Sequence, residues 1–486
     1  MQATNLLILM ADEHSRKVLG CYGNGHVRTP NLDALARRGT RFPAACTSSP
    51  ICVPARAAFA TGRYVHDTGY WDNASPYEGR VPSWGHWLRQ RGHEVVSIGK
   101  LHYRDEQAPT GFDRQIVPMH VVGGVGSLLH SIKDPMVVLP GAPKFSKQVG
   151  PGDSSYQRYD REITDHACQW LAGRRPDAGK PWVLFVSLVC PHYPLIADPS
   201  LYECYAGMGL PSPKAANARG ITLHPWVSEL RRAVPYDQGF TDATRMVAIA
   251  AYYALCEFID GCVGRVLGAL DSAGLADATR VIYTSDHGEN LGARGLWGKS
   301  NLYEESAAVP LIVAGPDVPA GATCETPVSH VDIHPTVTQC VTGGKAPVDG
   351  TLPGTSLIDI AARAGDSARL AFSEYHAMGA TSGAFMLRDG RHKYIHYCGF
   401  EPELFDLRND PEELEDLSGR SAHAATLERM RNALFRMLDP DAVDRQAKAY
   451  QRALIERHGG REAVMKRGAF IGTPVPGEKA DFTPGA

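Results

Sequence analysis

The sequence predicts an α/β fold. A large, doubly wound mixed sheet carries helices on both faces, and a smaller C-terminal α+β region is built on an antiparallel sheet. Three observations predict it. Short apolar runs alternate with helical patterns through residues 1–365. Several of those runs end in polar clusters, and open α/β sheets place their sites at the carboxyl ends of strands. Near residue 366 the pattern changes to strand–turn–strand signals and amphipathic helices, which run on to residue 486. The expected division is a large α/β domain over 1–365 and a smaller α+β subdomain over 366–486 with a helical tail and an extended arm.

Asn5–Ala11 is an apolar run that stops at an acid, the pattern of a central parallel strand. Thr29 then caps a helix with Pro30 in its first turn, and Gly39 closes it. Pro54 suits the first turn of a helix through Thr61 that Gly62 ends, which puts Cys52 at a helix N-terminus. Ser83–Arg91 is a helix closed by Gly92, and His93–Ile98 a strand running into Gly99 and Lys100. Pro181–Val189, Arg280–Thr284 and Val309–Val313 are buried strands, and Thr244–Leu270 is a long helix. Ala384–Arg388 and His392–His396 form a hairpin about Asp389 and Gly390. Leu427–Leu438 and Val443–Arg457 are amphipathic helices, and Phe470–Ala486, rich in Gly and Pro, is an extended arm.

Composition narrows the function classes. Hydrophobic residues at 43% and charged residues at 21% are those of a folded globular chain. Lys+Arg 50 against Asp+Glu 53 leaves a formal charge of −3, so no global basic field attracts nucleic acid. No apolar run reaches the roughly 18 residues of a membrane span. The start lacks a basic n-region and reads as a strand rather than a signal peptide. Eleven cysteines without a Cys-x-x-Cys pair read as reduced thiols in a cytoplasm.

At a helix N-terminus Cys52 meets free N–H groups that favour an anion, and Arg56 lies one turn on. A buried cysteine beside a loop proline is an equal reading of that segment alone. Asp12 closes one strand, and Asp286-His287-Gly288-Glu289 closes another, with no opposite charge adjacent in sequence. Two carboxylates and an imidazole at the ends of neighbouring strands can share one divalent cation, or they can each cap a helix. Lys100, His102 and His192 follow strands, and Lys299 follows the acidic cluster. Converging with Arg56 and a metal, they would hold a tetrahedral oxyanion. Trp226, Tyr193 and Tyr236 can meet an apolar or cationic group or serve packing. Segments 118–160 and 200–240 are placed at the entrance.

Cys52-Val-Pro-Ala-Arg56 resembles the C-x-P-x-R signature of the sulfatase family, within the alkaline phosphatase superfamily. Further motifs follow in family order: MADE at 10–13, TPNLDALARRG at 29–39, GKLH at 99–102, PHYP at 191–194, SDHGENLG at 285–292, WGKSNLYEESAAVPLIV at 297–313 and ELFDLRNDPEE at 403–413. Asp72-Asn73, Asp286-His287 and Gly459-Gly460-Arg461-Glu462 resemble the choline-sulfatase and phosphonate monoester hydrolase branch.

The resemblance implies hydrolysis of sulfate esters, arylsulfatase chemistry included, or of phosphonate monoesters and phosphodiesters by the same site. It implies that a formylglycine-generating enzyme converts Cys52 to formylglycine, and that one divalent metal ion, Ca2+ or Mn2+, sits on Asp12, residue 52, Asp286 and His287. Glu13 either binds that metal or only hydrogen-bonds near it. Arg56 would hold the signature loop, Lys100 and Lys299 the substrate oxygens, His102 a proton of the nucleophile and His192 the leaving oxygen, with Asn73 donating to the substrate. Val53 is larger than the residue usual at its place. The expected partners are a small anionic ester and the maturation enzyme, with neither nucleic acid nor membrane. The tail, with little of its own to cover, implies a homodimer or homotetramer.

Overall fold

A computed structural model describes residues 1–175, 179–214, 222–344 and 350–485. Strand Asn5–Asp12 lies inside an eight-stranded sheet. Leu7, Leu9 and Ala11 join one apolar core, and Leu6, Ile8 and Met10 join another. A two-residue period sends alternate side chains to opposite faces, and burial of both faces makes the strand apolar throughout. Val183–Pro191 and Thr279–Ser285 flank it in parallel, with Leu6 opposite Val183 on one side and Arg280 on the other. Val95–Lys100 and Arg114–Met119 extend the sheet beyond Val183–Pro191. On the opposite side Leu311–Ala314 runs antiparallel to Thr279–Ser285, followed by Gly39–Arg41 and Ala322–Thr323. The register carries Asp12, Asp286 and Lys100 to the same end of neighbouring strands.

Helices Ser155–Ala172 and Asp242–Ser272 cover one face; Cys52–Thr61, Trp84–Arg89 and Ile333–Thr342 cover the other. Asp242–Ser272 corrects one expectation. It has 31 residues and a mean hydropathy of 1.6 over its most apolar window, which is long and apolar enough to cross a membrane. That window is 72% buried inside the protein, as a core helix requires. Two capping expectations also change. Thr29 stands at the N-cap but makes no side-chain cap; its hydroxyl donates to Asp33 instead. Gly39 does not end that helix but opens the next strand, where a Cβ would lie 2.2 Å from the Val313 carbonyl oxygen. Ser83 does cap its helix, in a reciprocal box with His86.

Ala371–Tyr375, Ala384–Arg388, His392–Tyr397 and Glu403–Asp406 form a four-stranded antiparallel sheet, with Arg388 opposite Lys393 across the expected hairpin. Helices Ala424–Met437 and Pro440–Arg457 pack Met430, Leu434, Val443 and Ala447 against Phe385 and Leu387 of this sheet. The expectation that the tail has little of its own to cover does not hold. Leu454 and Ile455 reach the main core, and the buried Gln451 donates to Asp72 at 2.8 Å. The terminal arm also folds back on its own chain: Ala469 and Thr483 exchange backbone hydrogen bonds of 2.9 and 2.7 Å.

Candidate active site

Cys52 is the first residue of helix Cys52–Thr61, whose C-cap Gly62 takes a left-handed φ of 68°. All ten helical residues are buried, so the helix start is fixed against the sheet end. Asp12, Cys52, Asp286 and His287 each bring one ligand-type atom into a group whose members lie within 4.8 Å of one another. The Asp286 carboxylate accepts from the Glu13 and His287 amides at 3.1 and 3.0 Å. His287 Nδ1 contacts the Gly288 carbonyl at 3.1 Å, which assigns its proton there. Its Nε2 lone pair then faces Cys52 Sγ at 3.2 Å.

Arg56 binds this group from beneath. Its guanidinium donates to Asp286 at 2.8 Å, to Asp12 at 3.2 Å, to the Lys100 carbonyl at 2.7 Å and to Ser187 at 2.9 Å. The acids that lacked an opposite charge in sequence thus gain one in space. Lys100 Nζ lies 2.5 Å from Asp12 Oδ2, the same oxygen that Arg56 contacts, and does not line the pocket. Lys299 does line it, donating to Glu13 at 3.0 Å and lying 2.8 Å from His192 Nε2. Glu13 therefore falls into a second potential ligand group, Asp12, Glu13 and His192, rather than the one around Cys52.

Burial dominates the electrostatics. It pushes the Cys52 thiol up to about 12, helped by Asp12. Burial would also raise Asp12, but the Lys100 and Arg56 cations hold it well below the carboxylate range. Glu13 goes the other way: burial raises it well above that range, and Lys299 does not compensate. Burial and neighbouring cations keep His102 and His192 neutral. Glu13 and His102 take left-handed φ values of 66° and 55°, backbone that costs about 1–3 kcal/mol per residue and concentrates at functional sites.

These groups fit a divalent cation. Among the described residues, the buried carboxylates Asp12, Glu13, Asp286 and Glu289 face three fixed cations, Arg56, Lys100 and Lys299. Glu13 and Glu289 lie against each other, and Glu13 Oε1 and Glu289 Oε2 are buried without a donor from any other described residue. A carboxylate–imidazole donor set of this kind suits manganese or another borderline metal as well as calcium.

The pocket above Cys52 encloses about 50 Å3. Asn73, His102, His192, Tyr193, Tyr236 and Lys299 line it, as the sequence proposed for several of them. Asn73 accepts from the Val53 amide at 3.1 Å, which leaves its NH2 for a ligand oxygen. Trp226 is not there; it is buried, donates to the Ser382 carbonyl at 3.0 Å and packs on Tyr397. Segment 118–160 supplies Val121, Ser127 and His130, whereas 200–240 supplies only Tyr236, with 215–221 outside the described residues. The roof comes from the chain's own terminal arm, which reads in the sequence only as an extended segment. Phe470, Gly472 and Thr473 of the terminal arm close the pocket, and Thr473 bonds His102 Nε2 at 2.8 Å. Tyr156 pins the arm by donating to the Thr473 carbonyl at 2.6 Å.

The sulfatase family model matches residues 4–343, and the model described as N-sulphoglucosamine sulphohydrolase, C-terminal, matches 292–439. A choline-sulfatase of Rhizobium meliloti (strain 1021) is 30% identical over 453 residues, 90% of this chain and 88% of the relative. Arylsulfatase K of Danio rerio is 30% identical over 448 residues, 86% of this chain and 80% of the relative. Among solved structures, the phosphonate monoester hydrolase of Agrobacterium radiobacter superposes with a TM-score of 0.72 at 23% identity, covering 91% of this chain and 96% of that one. The phosphonate monoester hydrolase SpPMH from Silicibacter pomeroyi gives 0.70 at 24%, covering 90% and 95%. With one family model spanning most of the strands that deliver the pocket, and a relative aligned across nearly the whole length, this chain belongs to the sulfatase family.

Proposed function

We propose that the protein hydrolyses sulfate esters, R–O–SO3− + H2O giving R–OH + HSO4−, with residue 52 matured to formylglycine. The observation that carries this reading is the convergence of Asp12, Cys52, Asp286 and His287 within 4.8 Å beneath a pocket lined by Lys299, His102 and His192. Hydrated formylglycine would supply one hydroxyl as nucleophile and a second whose deprotonation expels inorganic sulfate as the aldehyde re-forms. A divalent cation on the four-residue group supplies Lewis-acid stabilisation of charge.

The side chains divide the remaining work. Lys299 grips the non-bridging oxygens, where equatorial charge accumulates, and Asn73 donates to them from the other wall. His192 exchanges a proton with the leaving oxygen, since its Nε2 is the ring atom nearest Lys299. His102 takes the proton of the nucleophile through its inward Nδ1, which has no partner while Nε2 is held by Thr473. Arg56 and Lys100 act from beneath by fixing Asp12 and Asp286. A homodimer or homotetramer in the cytoplasm, maturation by a formylglycine-generating enzyme, and independence of nucleic acid and membrane belong to the same proposal.

Turnover of paired aryl sulfate, phosphodiester and phosphonate monoester substrates tests the reaction. Peptide mass spectrometry across Cys52 and metal analysis accompany it. The sulfate ester is expected to be fastest. A diester or phosphonate turning over faster transfers the site to the alternative chemistry.

A further inference from the structure

A second cavity, of about 600 Å3, is lined by residues one to three positions from residues that line the reaction pocket. The two spaces share two walls. His130 lines the pocket while its neighbours Ser131 and Lys133 line the cavity; Met378 lines the pocket while Thr381 lines the cavity.

The cavity is cationic. Lys133, Lys448, Arg452 and Arg461 line it against the carboxylates Asp134 and Glu456. Lys448 is paired with Asp444 at 2.9 Å, and Arg461 donates to the Pro135 carbonyl at 2.9 Å. Among the described residues no carboxylate lies within ion-pair distance of Lys133 or Arg452; Lys133 Nζ donates only to the Ala377 carbonyl. Thr381 Oγ1 is buried at this wall without a hydrogen-bond partner. An ammonium taken out of water and a buried hydroxyl left unpaired are both destabilising until an acceptor arrives. Burial, with Lys448 nearby and Asp72 opposing, brings Lys133 down to about 8.

The cavity is also wired to the pocket. Ser131 and Gln451 donate to Asp72 at 2.7 and 2.8 Å, and the next residue, Asn73, lines the pocket.

We propose that this cavity is an anion site holding a carboxylate or second sulfate group of the same substrate whose sulfate ester occupies the reaction pocket. The inference rests on the sulfatase reading and deepens it. The substrate class is a sulfate ester with a remote anionic group, and a quaternary ammonium companion is disfavoured by the four cations.

The test uses full-length protein and two probes, para-nitrophenyl sulfate and an aryl sulfate bearing a carboxylate on a flexible spacer. Equilibrium binding is measured by calorimetry on Cys52→Ala, alone and combined with Lys133→Met or Arg452→Glu. The dianion is expected to bind about tenfold more tightly than the monoanion, and either added substitution is expected to erase that preference. Arg452 is exposed, so Arg452→Glu keeps the fold. With active enzyme, the same substitutions raise KM for the dianion and leave para-nitrophenyl sulfate turnover unchanged. Equal binding of both esters overturns the proposal. Inorganic sulfate bound through Lys133 and Arg452 without any preference between the esters also overturns it, and marks a free-anion site. Failure of the sulfatase reading is separate: active enzyme then leaves para-nitrophenyl sulfate intact, whatever the binding preference.

Discussion

The charge cluster around Cys52 and the one around Glu304 are both buried, and both draw their members from distant parts of the chain; they differ in balance. Glu304 meets Arg16, Arg388 at 2.9 Å and Lys393 at 2.7 Å, and Glu305 meets Lys17 at 3.0 Å, Lys214 at 2.5 Å and Arg294 at 3.1 Å. Burial would raise both carboxyls, but these cations hold them well below the carboxylate range. In the first cluster Glu13 is driven upward instead, and Glu289 has no cation within ion-pair distance among the described residues. The balanced cluster ties the segment after Lys299 to the C-terminal sheet through Arg388 and Lys393. The unbalanced one is held open for charge that arrives from outside. A buried polar network is stable when satisfied, and an unsatisfied one marks function.

The largest test of this contrast is Cys52→Ala. Turnover should fall at least about 10³-fold, because the nucleophile is lost, while the thermal midpoint moves little. A large drop in stability would make Cys52 a packing residue and break the contrast. In the other cluster the effects should reverse. Lys393→Met leaves Glu304 and Glu413 short of a cation and should cost about 3–5 kcal/mol in denaturant unfolding. Its kcat per folded molecule should stay near wild type. A loss below about 1 kcal/mol would mean the network is only ornamental to the fold.

A chelator sharpens the same point at smaller scale. A chelator should abolish turnover and lower stability by about 2–4 kcal/mol, the linkage expected when a ligand near 100–1,000 times its Kd is lost. Lys393→Met should show the same chelator shift, since its cluster needs no added cation. An unchanged melting curve in chelator would show that the carboxylates around Cys52 hold no ion.

Part of this was legible in the sequence and part was not. Asp12, Asp286 and Lys100 were placed correctly because strand periodicity fixes where a strand ends, and parallel neighbours end together. The direction of Lys100 was not legible: Asp12 Oδ2 captures it, so it lies behind the pocket wall rather than on it. Trp226 lacked any pattern separating a pocket aromatic from one packed on Tyr397. Thr473 sits in an irregular segment and His130 in the short 3-10 helix Leu128–Ser131, both without motif spacing, and only folding brings Thr473 to His102 across 371 positions. The balanced cluster was invisible for the same reason, since Glu304 and Lys393 share no periodic element.

The smallest effect lies where the two regions meet. His66 follows helix Cys52–Thr61 and bonds Glu374 of the C-terminal sheet at 2.8 Å; Glu374 also contacts His376 at 2.9 Å, and its amide donates to the Ser48 carbonyl. Burial would lower His66, but the Glu374 charge and hydrogen bond raise it to about 9. A histidine raised in the folded state stabilises fully below its unfolded value, near 6.5, and loses that contribution as pH climbs through about 9. Discounted for the solvent that reaches His66, this amounts to about 1–2 kcal/mol. The difference in unfolding free energy between wild type and His66→Gln should therefore be largest at pH 6 and shrink toward pH 9.5. Chelator should not change that difference, because neither His66 nor Glu374 belongs to the cation-binding group. A difference that stays flat across this range would show that His66 is held by shape alone and adds no charge link between the two regions.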